Sequence, residues 1–154
     1  AGPLLLVLGC GAGQRAIERG DAAYADGDFQ GALGHYLEAE REREGAAADQ
    51  RGRELEQRLL NARIATAIER GRGLYLQGHF EEALDLFRGA LALRPEDEQV
   101  QRWVRKVRRD LAKVLVGQAR ERSVESQFAE AEALLLEADR LWPGNGEVLE
   151  ALAE

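Results

Sequence analysis

Apolar side chains recur along most of this chain at intervals of three and four residues. Between Asp49 and Gln77 they fall at Leu55, Leu59/Leu60, Ile64, Ile68 and Leu74/Tyr75. Between Glu96 and Glu125 they fall at Val100, Trp103/Val104, Val107, Leu111 and Val114/Leu115. That spacing is the 3.6-residue period of a helix with one buried face, and no segment reads as a strand. The pattern and its stop signals predict six helices, over 14–26, 30–44, 49–77, 80–93, 96–125 and 128–141, with 146–153 opening a seventh. Pro95 and Pro143 end two of them, because proline cannot continue a helix. Glu96-Asp97-Glu98 puts negative charge at the start of the fifth, where the helix dipole favours it. Gly45-Ala46-Ala47-Ala48 is the loosest link.

The pattern also repeats. Ala16-Ile17-Glu18-Arg19-Gly20 recurs, unchanged, as Ala67-Ile68-Glu69-Arg70-Gly71, 51 residues on. The match extends beyond the pentapeptide: Gly20, Gly27, Phe29, Ala32, Leu33, Tyr36 and Ala39 correspond to Gly71, Gly78, Phe80, Ala83, Leu84, Phe87 and Ala90. A degenerate third copy, 48 residues further, keeps Phe128, Ala131, Leu135 and Ala138, then Trp142-Pro143 where the second has Arg94-Pro95. A glycine inside a helix costs about 1 kcal/mol against alanine, so Gly20 and Gly71 belong where a second helix presses against the backbone. Gly27 and Gly78 supply the positive φ of a turn, and the alanines let helices cross closely beside the rings.

These residues resemble the tetratricopeptide repeat (TPR), a helical hairpin whose helix A carries a Gly, followed by a turn Gly, an aromatic opening helix B, small residues and a closing Pro. The resemblance implies an all-α, TPR-like helical-hairpin solenoid with about three repeats. The family's usual step is about 34 residues, and the surplus here is best placed in elongated A helices of about 45 Å. In that family helix A lines a concave surface that takes up a partner's peptide or helix. Carried over position by position, the groove would be lined by Ile17, Asp21 and Tyr24, by Ile68, Arg72 and Tyr75, and by Val116, Arg120 and Ser123. Ala119 departs from the pattern by replacing the third helix-A glycine. Of these, Tyr24, Ile68, Arg72, Tyr75 and Arg120 are the candidate partner-binding residues, the arginines as clamps for a carboxylate and the tyrosines as apolar bodies with polar tips.

Residues 1–13 are unlike the rest. Leu4 to Leu8 is a continuous apolar run, and Val7-Leu8-Gly9-Cys10 resembles a bacterial lipobox, which would make Cys10 the lipidation site and Gly11-Ala12-Gly13 the start of a tether. The division expected is a signal-peptide remnant with lipobox and tether over 1–13 and a TPR-like α-solenoid over 14–154. Leu8-Gly9-Cys10-Gly11-Ala12-Gly13 also resembles the glycine-rich turn by which class I methyltransferases hold S-adenosylmethionine. Val7 stands where that family carries an acidic residue, and no strand-helix alternation comes after it to build the sheet. The remaining reading is an apolar end that merely packs.

Composition narrows the chemistry. Hydrophobic residues make up 45% of the 154 and charged residues 32%, with one Cys, which excludes a disulfide scaffold and a disordered tail. With 2 His, one Thr (Thr66) and two Ser (Ser123, Ser126), almost nothing is left for nucleophilic or acid–base catalysis, and neither His35 nor His79 has a partner at ligand spacing. An enzyme, a cofactor or a metal is not expected.

The net charge of -7 is uneven: residues 14–44 hold 4 basic and 8 acidic side chains, 123–154 hold 1 and 8, but 98–122 hold 8 and 3. An acidic chain argues against nucleic acid as partner. The basic exception, Arg102, Arg105, Lys106, Arg108, Arg109 and Lys113, lies opposite the stripe of Val100, Val104, Val107 and Leu111. It reads either as a solvated face paired with Glu98 and Asp110 or as a dock for an acidic protein surface or anionic headgroups. The expectation is a non-enzymatic interaction scaffold, anchored by a lipid on Cys10 to the periplasmic side of a bacterial outer membrane and supporting a multiprotein complex. It resembles small TPR lipoproteins of the pilotin or assembly-accessory kind. The alternatives are a soluble, cytoplasmic or self-assembling structural subunit, and a methyltransferase fragment.

Overall fold

The computed structural model describes residues 5–43 and 49–153, with side chains from residue 11 onward. Among these residues every regular element is a helix: α1 (Leu5–Ala25), α2 (Phe29–Glu42), α3 (Gln50–Leu76), α4 (Phe80–Leu93), α5 (Glu98–Val124), α6 (Phe128–Leu141) and α7 (Gly146–Ala153). The long A helices are present: α3 and α5 have 27 residues each, against 14 in α2, α4 and α6. At 1.5 Å per residue the long ones reach about 40 Å. The helices form two compact units, residues 1–69 and 70–154, the division falling inside α3.

In the first unit α1 and α2 make a hairpin. Gly27 turns it at φ 82°, and the Asp28 carboxylate accepts the Gly31 backbone N–H at 2.8 Å, capping α2. The small residues Ala16, Ala32 and Ala39 lie wholly buried beside Tyr36, and Leu55, Leu59 and Ala62 of α3 complete the cluster. In the second unit the end of α3 pairs with α4 through a matching turn at Gly78, also at φ 82°. Asp97 caps α5 by accepting the Val100 N–H at 3.0 Å, which is why that helix starts at Glu98 and not at 96. Phe87, Val100, Val107 and Val148 are its largest fully buried side chains.

The repeated glycines stand where a ring crosses. A Cβ on Gly71 would lie 2.7 Å from Phe87 Cζ, and one on Gly20 would collide with the Tyr36 ring in the same way. In the third hairpin the corresponding positions hold Ala119 and Leu135, both buried. The smaller partner on helix B leaves room for the methyl on helix A, so the departure from the family pattern is compensated within its own hairpin.

Residues 5–13, expected as leader and tether, continue α1 without a break. Gly13 is buried where a Cβ would stand 3.5 Å from Glu42 Cβ and 3.8 Å from the Ala39 carbonyl, so this glycine packs closely on α2. The Cys10 side chain lies outside the described residues, as do Gly45-Ala46-Ala47-Ala48.

Candidate functional site

The helix-A positions are held by different contacts in the two units. In the first, Tyr24 lies edge-on to Phe29 at 5.0 Å and Ile68 is half-buried. Asp21, expected in the groove, accepts the Tyr36 hydroxyl at 2.7 Å and the Arg58 Nε at 2.9 Å, tying α1 to α2 and α3. Burial alone would push the Asp21 carboxyl up, but the hydrogen bonds from Arg58 and Tyr36 and the guanidinium charge outweigh it and hold the carboxyl below its ordinary value. Burial and the same carboxylate push the Tyr36 phenol well above the usual tyrosine range.

In the second unit Arg72 and Tyr75 are brought together at one indole. The Arg72 guanidinium stands 5.9 Å from the Trp103 ring centre, and Tyr75 meets the same ring edge-on at 5.6 Å. Trp103 is itself stacked on Phe87, 5.4 Å away and 8° from parallel. The Tyr75 hydroxyl donates to Asp110 at 2.6 Å, and Lys106 sits over the Tyr75 ring at 5.0 Å. Arg120 is apart from this group; its neighbour is Glu147 of α7, at 3.9 Å. Val116, expected in the groove, is only 2% exposed and belongs to the core of the α5–α6 hairpin.

The basic belt forms one wall of a cleft of about 540 Å³. Arg102, Arg105, Lys106, Arg108 and Arg109 line it from α5, and Leu141, Trp142 and Pro143 face them from the end of α6. On the other side of α5, Val100, Val107 and Leu111 are buried as the periodicity predicts. The two readings of the belt coexist. Arg102 pairs with Glu98 at 3.6 Å, and Asp110 takes both Lys106 at 3.6 Å and Arg109 at 3.4 Å. Burial pushes the Asp110 carboxyl up, but the Tyr75 hydroxyl, Lys106 and Arg109 together hold it below its ordinary value. The Lys106 ammonium is held above the usual lysine value, first by the Tyr75 hydroxyl and further by Asp110. Arg108 donates from Nη2 to the Arg140 carbonyl at 3.0 Å, fastening the end of α6.

The apolar wall of this cleft was missed in the sequence. Its signal was the Trp142-Pro143 pair closing an antiparallel helix 14 residues long against one of 27, which leaves the first half of α5 uncovered by α6. His35 lies 3.5 Å from Arg19 Nε, and His79 contacts Glu82 at 2.9 Å. Among the described residues no three His, Cys, Asp or Glu gather to hold a metal ion, and no helix is long and apolar enough to cross a membrane.

Comparison with known families adds one finding. Residues 65–97, the last part of α3 with its turn and α4, match the tetratricopeptide repeat. No match was found among curated proteins. Proteins built on this repeat generally mediate protein–protein contacts and are generally non-catalytic. With helices alone among the described residues and a Gly-turned hairpin in each unit, the chain has an all-α, TPR-like helical-hairpin fold of the kind that serves as a protein-interaction scaffold.

Proposed function

We propose that the chain is a non-enzymatic scaffold of the bacterial envelope, holding protein partners of a membrane complex while a lipid on Cys10 anchors it to the periplasmic side of the outer membrane. The observation that carries the scaffold reading is the matched repeat, residues 65–97, with its Gly-turned hairpin. Within it Arg72 and Tyr75 share the Trp103 ring, which places a cation and a phenol side by side. The anchor rests on the lipobox-like Val7-Leu8-Gly9-Cys10. One acyl chain binds membranes only marginally, whereas the two or three of a mature lipoprotein hold firmly.

The test uses the full-length gene product, tagged and recovered from detergent-solubilised membranes of a bacterial host fed radioactive palmitate. Label on the wild type and none on Cys10→Ser supports the anchor; an unlabelled wild type removes it. Partners that co-purify with the wild type and are lost from Arg72→Glu/Arg120→Glu, at unchanged helical circular dichroism, support the helix-A surface. Undiminished capture by that variant means partners bind elsewhere.

A further inference from the structure

The geometry points to the basic cleft of the second unit as the dock for an extended acidic segment of a partner protein, one that carries apolar side chains between its carboxylates. This deepens the scaffold reading and rests on it, but it concerns a surface outside the matched repeat: residues 102–109 and 141–143 lie beyond residue 97.

The cleft exists because the two helices of the third hairpin differ in length. Helix α6 stops at Leu141, where Arg108 fastens the Arg140 carbonyl, and the face of α5 that continues past that point has no α6 against it. On that face Arg102, Arg105, Lys106 and Arg109 are spaced at i, i+3, i+4 and i+7, a straight row about 10 Å long. Two carboxylates of the chain answer the row. Glu98 takes Arg102, and Asp110 is shared among Lys106, Arg109 and the Tyr75 hydroxyl, which leaves it little capacity for more. Arg105 is exposed and has no hydrogen-bond or ion-pair partner among the described residues, and the buried Arg108 Nε has none either. The cleft therefore carries cations in excess, while residues 123–154 hold 1 basic and 8 acidic side chains. An acidic ligand is repelled by that segment and attracted to the cleft, which orients it before contact.

The shape of the cleft selects the ligand further. An extended peptide advances about 3.3 Å per residue and sends alternate side chains to opposite sides. Carboxylates on one side then meet the row on α5, while the side chains between them meet Leu141, Trp142 and Pro143. A lone phosphate would engage one or two cations and leave that apolar wall in water. A bilayer surface is flat and does not enter a recess. Nucleic acid needs several rings for stacking, and the cleft offers one indole, Trp142, since Trp103 lies outside it, stacked on Phe87.

The experiment is fluorescence anisotropy on the full chain with a fluorescein-labelled synthetic peptide of about ten residues in which Glu and Leu alternate. Its Glu→Gln and Leu→Ser counterparts serve as comparators, and inorganic phosphate and vesicles of equal parts phosphatidylglycerol and phosphatidylcholine serve as competitors. The parent peptide binds, and both comparators bind about tenfold more weakly or worse. Arg105→Glu/Arg109→Glu, two exposed positions whose reversal leaves the core untouched, weakens binding about tenfold, as does raising salt from about 50 mM to about 500 mM. Arg53→Glu, an exposed position of α3 outside both surfaces, leaves the affinity unchanged. The milder Arg105→Gln/Arg109→Gln gives an intermediate loss, which guards against a folding artefact.

Peptide affinity indifferent to the double reversal overturns the proposal. So does a Leu→Ser peptide that binds as well as the parent, which would mark a general polyanion surface, or vesicles that bind where the peptide does not. A chain that captures envelope partners through Arg72 and Arg120, but whose peptide affinity ignores Arg105 and Arg109, keeps the scaffold reading and loses the cleft. One that binds the peptide at the cleft and captures nothing from membranes does the reverse.

Discussion

Replacing Gly71 with alanine ought to stabilise α3 on helix propensity alone, by about 1 kcal/mol. The structure predicts that this gain is cancelled or reversed. The new Cβ would lie 2.7 Å from Phe87 Cζ and 2.8 Å from its Cε1, whereas carbon atoms in contact normally sit about 3.5–4.0 Å apart. The ring must retreat by about 1 Å, yet Phe87 is 0% exposed and lies flat on Trp103, so it has nowhere to go without shifting a second ring. Overpacking of this kind costs about 1–3 kcal/mol. Gly73, two residues on in the same helix, has no atom within 4 Å of its would-be Cβ and is the internal control. Gly73→Ala keeps the propensity gain, so the difference between the two substitutions isolates the packing cost at about 1–3 kcal/mol. Urea unfolding followed by tryptophan emission measures it, since Trp103 and Trp142 both lie in the second unit. In a Phe87→Leu background, which recreates the Ala119/Leu135 pairing of the third hairpin, Gly71→Ala should lose most of its penalty. If Gly71→Ala stabilises as much as Gly73→Ala, the ring is not what demands glycine there and the account of the repeat's small positions is wrong.

Two further substitutions test the turn chemistry and the ion pair. Ser126 occupies the third hairpin's turn at φ 62°, where the other two use glycine, so Ser126→Gly should raise stability by about 1 kcal/mol in the same urea titration; a loss would mean its side chain has a compensating role. The Asp21 carboxyl is held below its ordinary value, so its contribution is present above about pH 4 and disappears as pH falls through the folded value. Because Asp21 and Arg58 are 47% and 35% exposed at the side chain, solvent screening keeps that contribution under about 1 kcal/mol. Circular-dichroism melts between about pH 6 and about pH 3 should show a smaller acid loss in Asp21→Asn than in wild type, and equal slopes would refute the assignment.

The fold was largely legible because each hairpin announces itself locally. The spans of α4 and α6 can be read from the closing prolines and the opening aromatics, and the turn glycines from their spacing. The first helix was not legible at its start. The periodic pattern starts at residue 14 whereas α1 starts at Leu5, and the packing of Gly13 beside Ala39 and Glu42 is a contact between helices that no local spacing announces. The site was legible in part. The row on α5 is visible from its own spacing, but its apolar wall comes from a segment more than thirty residues later, and the Asp21–Arg58 pair joins residues 37 apart. Val116 was misplaced because register within a family pattern gives a helix face but not which side chains a neighbour will bury, and the partners of the exposed Asp21 were not legible for the same reason.

The matched sizes on helices A and B also limit how such a gene can recombine. A whole hairpin exchanged for another carries its own fit, glycine with ring or alanine with leucine. A crossover inside the turn that joined the α5 strip bearing Ala119 to the α4 strip bearing Phe87 would bring methyl and ring into the same space. Exchanges that respect a hairpin's borders thus avoid an overpacking cost of about 1–3 kcal/mol.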